Sequence, residues 1–66
     1  MRSAVGMVEC LLFVAGEPLT LKDLTKATEW DADAVLDALS ELRARYDAAE
    51  SGLQVVEIAG GWQLST

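Results

Sequence analysis

The 66-residue chain has no histidine, a single cysteine and a single proline, and only five lysines and arginines against eleven acids, for a formal net charge of −6. Each shortage excludes something. Without histidine, the chain lacks the side chain most often used as a general base near neutral pH and as a zinc ligand. Cys10 alone cannot form an internal disulfide or a Cys/His metal cluster. Small secreted domains lean on several disulfides, so a reducing, cytoplasmic setting is expected. The shortage of cations argues against a surface that binds phosphates. Long apolar runs are also missing. Arg2 and the stretch Ala4–Ala15 superficially suggest a targeting signal, but Glu9 interrupts the run and Glu17 follows it. It is too short to span a membrane, so it reads as a buried helix, and no membrane association is expected.

Half of the residues, 52%, are hydrophobic, so one small core is available. A single domain of this length lies near the lower limit for folding alone. With disulfides and metals set aside, a partner subunit is the remaining stabiliser. No repeat, linker or low-complexity segment divides the chain.

Three helices are expected. The first runs from Ser3 or Ala4 to Val14 or Ala15 and stops at Gly16, with Pro18 just beyond. Ala4, Val8, Leu11 and Ala15 share one face, flanked by Leu12 and Met7. Phe13 falls beside Glu9 on another side, with Gly6 and Cys10 adjacent. The second helix, Leu21–Thr28, is capped by Thr20 with Asp23 at N3, and Leu21, Leu24 and Ala27 face inward. The third opens at Asp31, with Trp30 and Val35 spaced as a hydrophobic staple. Val35, Leu36, Leu39, Leu42 and Tyr46 then recur at helical spacing, and Ser51-Gly52 ends the helix near Ala48–Glu50. Leu53–Ile58 and Trp62–Ser65 read as strands joined by a tight Gly60-Gly61 turn. The order is that of an α+β winged helix-turn-helix: three helices followed by a two-stranded β-hairpin wing.

That fold is often used to read DNA, and a winged-helix transcriptional regulator is the alternative reading of this chain. The composition opposes it. From Asp31 to Glu50 there are six acids and two arginines, and the wing, Leu53–Thr66, carries Glu57 and no cation. Acids suit a helix N-terminus but would repel a phosphate backbone. Sequence-specific DNA binding is therefore not expected.

Other chemistries are weaker still. Asp31-x-Asp33 resembles the start of a calcium loop, but Leu36 stands where the loop needs glycine and no glutamate closes it. No nucleophile–base pair can be assembled, so neither catalytic residues, cofactor nor metal are expected, and the chain does not read as an enzyme. Trp30 and Trp62 are expected to pack rather than stack on a ligand.

Two segments carry a family resemblance. VECLLFVAGEPL, through Glu9, Leu11, Leu12, Phe13, Ala15, Gly16, Glu17, Pro18 and Leu19, resembles the opening of the segregation and condensation protein B family, ScpB. GLQVVEIAGGWQL, through Gly52, Leu53, Ala59, Gly60, Gly61, Trp62 and Leu64, is similar to that family's wing. The resemblance implies a bacterial, cytoplasmic, non-enzymatic protein of chromosome condensation and segregation, nucleoid-associated through its complex. It implies two winged-helix domains in tandem, homodimers formed mainly through the N-terminal domain, and binding to the kleisin ScpA, which bridges the heads of the SMC ATPase. Residues 1–66 match the N-terminal domain only, so the chain is expected to be one winged-helix domain of a longer protein, ending after the wing. The first helix has more apolar surface than one small core can use, and a second copy could bury it. Gly6, Cys10 and Phe13, together with Trp62, are the expected contributors to a twofold interface, unless Phe13 tucks under its own wing.

Overall fold

The computed structural model describes residues 3–66, so Arg2 lies outside the described residues. Along the chain run helix α1 (Ala4–Ala15), strand β1 (Leu19–Thr20), α2 (Leu21–Thr28), α3 (Ala32–Ala48), β2 (Gln54–Ile58) and β3 (Gly61–Ser65). This is a winged helix, with three helices and a C-terminal antiparallel hairpin.

Local chemistry sets the helix ends. Ser3 caps α1, its Oγ accepting from the Gly6 N–H at 3.1 Å, and α1 stops where Gly16 turns left-handed at φ 68°. Thr20 and Asp23 form the reciprocal capping box: the Asp23 N–H donates to Thr20 Oγ1 at 3.1 Å, and the Thr20 N–H donates to Asp23 Oδ2 at 3.0 Å. Those bonds favour the ionised carboxylate and hold Asp23 below its ordinary pKa, backbone bond first. Asp31 caps α3 by accepting from the Ala34 N–H at 2.9 Å.

The end of α3 differs from expectation. Glu50, not Gly52, takes the left-handed conformation, at φ 51°. The Glu50 N–H bonds to Asp47 O and the Ser51 N–H to Tyr46 O, the paired bonds of a Schellman ending. Satisfying those last carbonyls stops the helix before the glycine is reached.

The core is Val5, Val8 and Leu12 of α1, Leu24 of α2, Val35, Ala38, Leu39 and Leu42 of α3, and Val55 of β2. Three expected inward positions shift. The buried stripe of α1 is Val5–Val8–Leu12, rotated from Ala4–Val8–Leu11–Ala15, because a helix apolar on nearly all sides leaves the choice of face to its neighbours. In α2, Thr28 is buried while Ala27 is exposed. Thr28 can go inside because its hydroxyl donates to Leu24 O at 2.7 Å and accepts from the Trp30 N–H at 3.3 Å. In α3, Leu36 remains 39% exposed.

The sheet corrects the two-stranded wing. It has three strands in the order β1-β3-β2, with β1 contributing only the pairs Leu19↔Trp62 and Thr20↔Gly61. The turn is also displaced by one residue: Ala59 and Gly60 are its corner, at φ 51° and 78°, while Gly61 is already the first residue of β3. Two consecutive positive φ angles are what a two-residue hairpin loop requires. Gly61 is glycine for a different reason. A Cβ there would lie 2.6 Å from Leu19 O, so β1 can approach β3 only if that position has no side chain.

Candidate interaction surface

Among the described residues no group of three or more Cys, Asp or Glu converges as a metal site, and no helix is long and apolar enough to cross a membrane. What the fold does display is exposed apolar surface. Phe13 is 73% and Val14 75% exposed, although both sit in the middle of an apolar run. The cause is geometric: α1 spends its Val5–Val8–Leu12 stripe on the core, and the opposite side has nothing of this chain to cover it. Phe13 does not tuck under its own wing.

Cys10, Phe13 and Val14 line a shallow, mainly apolar cleft of about 380 Å³, together with Leu53 from the segment before β2 and Glu9 and Tyr46 at the α1–α3 seam. The Tyr46 hydroxyl donates to Glu9 Oε2 at 2.6 Å. That bond to a carboxylate, with some desolvation and the nearby negative charge, pushes the Tyr46 phenol up from its ordinary 10 to about 12. The bond fixes one wall of the cleft and satisfies the seam's polar groups internally, which leaves the rim apolar.

The four expected interface residues fall into three places. Cys10 and Phe13 are together in the cleft. Gly6 precedes them by one and two turns of the same helix, half-buried, beside the Ser3 cap. Trp62 is elsewhere: it packs against the core and lines a separate groove between α3 and the hairpin. Val14, Leu53 and Tyr46 are cleft residues that the sequence reading did not select. Val14 follows Cys10 by four residues, so helical spacing alone could have added it. Leu53 is brought in only by the path of the chain after α3.

The third helix presents no phosphate-binding face. Asp33, Asp37, Glu41 and Asp47 are exposed along it, and the exposed Arg45 is drawn to Glu41 at 3.4 Å.

Comparison with known proteins matches these features to one family. The family model described as segregation and condensation complex subunit ScpB covers residues 6–66. Segregation and condensation protein B of Desulforamulus reducens is 41% identical over 59 residues, which are 89% of this chain and 33% of that protein. The protein of the same name from Brevibacillus brevis is 36% identical over 62 residues, 92% of this chain and 32% of its own length. The chain thus spans about a third, 33% and 32%, of these curated relatives. In three dimensions it superposes on the crystallised dimer of an ScpB N-terminal domain complexed with an ScpA peptide, with a TM-score of 0.89, 33% identity, and coverage of 96% of this chain and 79% of that one. It also superposes on ScpB from Mycobacterium tuberculosis, with a TM-score of 0.86, 26% identity, and coverage of 100% and 43% respectively. On the match over residues 6–66 and the identities above, the chain belongs to the ScpB family of segregation and condensation complex subunits.

Proposed function

We propose that this domain is a non-enzymatic, dimerising scaffold module of a bacterial SMC–kleisin complex, acting in the cytoplasm at the nucleoid in chromosome condensation and segregation, and that it forms the N-terminal part of a longer two-domain protein. The observation that carries the proposal is the uncovered α1 face: Phe13 and Val14, 73% and 75% exposed, beside Cys10 and Leu53. A second copy is the occupant that face fits, because the same patch on both subunits is self-complementary about a twofold axis. Gly6 lets the two α1 helices approach closely along the same side. Burying one large apolar side chain stabilises by about 1.5–3 kcal/mol, a substantial addition for so small a domain. The related ScpB N-terminal domain crystallised as a dimer with an ScpA peptide supports the same partners here. In this reading the dimer holds the kleisin ScpA, and through it SMC, without touching DNA sequence-specifically. Trp62 belongs to the scaffold's second face rather than to the α1 patch.

The test is light scattering coupled to size exclusion, on the chain alone and mixed with ScpA from the same genome. The expected result is a dimer that co-elutes with ScpA. A monomer that leaves ScpA uncomplexed contradicts the reading.

A further inference from the structure

The groove that contains Trp62 is distinct from the α1 cleft. It is about 190 Å³ and runs between α3 and the hairpin: Leu36 and Arg43 form the helix wall, Leu39 and Val55 the floor, and Glu57 and Trp62 the sheet wall. Leu36 and Arg43 are seven residues apart on α3, two turns on one face, so they stand about 10 Å apart along the groove. In a DNA-reading winged helix this face carries polar side chains for base edges. Here it exposes a leucine over a floor in which Val55 is only 2% exposed. Arg43 is exposed and, among the described residues, the one ion pair is Arg45–Glu41, so Arg43 has no carboxylate within 4 Å.

The sheet wall also offers a main-chain contact. A two-residue loop makes Ile58–Gly61 a hydrogen-bonded pair, and the antiparallel alternation then turns the N–H and C=O of Val55 and Glu57 away from β3. Val55 is covered, but Glu57 is exposed on β2, an open edge of the sheet. An open edge beside an apolar groove favours an extended segment, whose main chain pairs with the edge while alternate side chains enter the groove.

We propose that this α3–β2 groove seats an extended segment of the kleisin, with an apolar side chain between Leu36 and Trp62, a carboxylate on Arg43 and its main chain against Glu57. The inference rests on the kleisin-scaffold reading and adds the place and mode of contact. Across about 10 Å the segment needs three or four extended residues, so the anchor and the acid are separated by that interval. Glu57, on the opposite wall from Arg43, selects against a segment that is acidic throughout. The dimer face on α1 is left free, so both partners can be held at once.

The test titrates ScpA from the same genome into wild type, Leu36→Asp, Arg43→Glu and Glu57→Pro by calorimetry, with circular dichroism and sedimentation on each variant. Arg43 is fully on the surface and keeps the test valid if Leu36→Asp disturbs the fold. Glu57→Pro removes only the outward-facing donor. The expected result is at least tenfold weaker binding for each folded variant, an unchanged dimer, and slower amide exchange at Glu57 in the wild-type complex. If wild type binds ScpA and the folded variants bind equally well, the groove assignment is wrong while the scaffold reading stands. If wild type does not bind ScpA at all, both fall.

Discussion

Tyr46 and Glu9, 37 positions apart in the chain, share a 2.6 Å hydrogen bond that ties the middle of α1 to the last turns of α3. It is the one side chain–side chain hydrogen bond between different helices among the described residues. It therefore sets the angle at which α1 presents Cys10, Phe13 and Val14. Tyr46→Phe keeps the ring and removes the donor, and is expected to cost about 1 kcal/mol in urea unfolding, since Glu9 retains partial access to water.

The same bond gives a pH signature. The phenol is raised to about 12 in the folded chain against an ordinary 10, chiefly by donating to Glu9 and secondarily by desolvation and the nearby carboxylate charge. A raised folded-state value means the stabilisation is complete below pH 10 and is lost as pH rises towards 12. The stability difference between wild type and Tyr46→Phe should thus be constant from pH 7 to about 9 and shrink between about 10 and 12. A difference that persists undiminished above that window would assign the effect to packing.

The hairpin makes two opposite predictions at neighbouring positions. Gly61→Ala forces a methyl to within 2.6 Å of Leu19 O, so it should separate β1 from β3 and cost about 1–3 kcal/mol. Ala59 stands at φ 51° with a side chain that disfavours that region, so Ala59→Asn should stabilise by roughly 0.5–1 kcal/mol. Thermal unfolding of the two variants reads both signs. A turn centred on Gly60-Gly61 would instead make the Ala59 change neutral.

The acidic third helix makes a prediction about DNA. Fluorescence anisotropy with a labelled duplex at low salt, where non-specific phosphate binding is strongest, should show no affinity near ~10⁻⁶ M. Micromolar binding that collapses as salt is raised would restore the transcriptional-regulator reading.

The fold was legible in the sequence wherever local chemistry decides it. The Thr20–Asp23 and Asp31 caps, the α3 periodicity and the β-branched run before Gly60 all fall where their spacing puts them. What was not legible depends on contacts between distant segments. The two-residue β1 has no pattern of its own and exists because Gly61 admits the Leu19 backbone. The rotation of α1 is set by what packs on it, since Met7, Leu11 and Val14 are as apolar as Val5 and Leu12. In the candidate surface, the Gly6–Cys10–Phe13 spacing identified the outward side of α1, and Trp62 was assigned to the wrong neighbourhood. A tryptophan in a strand can face either side of a hairpin, and the register Glu57↔Trp62 turns this one towards α3.

The central claim is that the uncovered side of α1 is where two copies meet, and Phe13, 73% exposed, is its largest side chain. Sedimentation equilibrium of wild type and Phe13→Glu at matched concentrations tests it most directly, since a charge at so exposed a position leaves the single-copy core intact. The account predicts a dimer for wild type and a monomer of unchanged helicity for Phe13→Glu. Two equally dimeric proteins, or two equally monomeric ones, would contradict it.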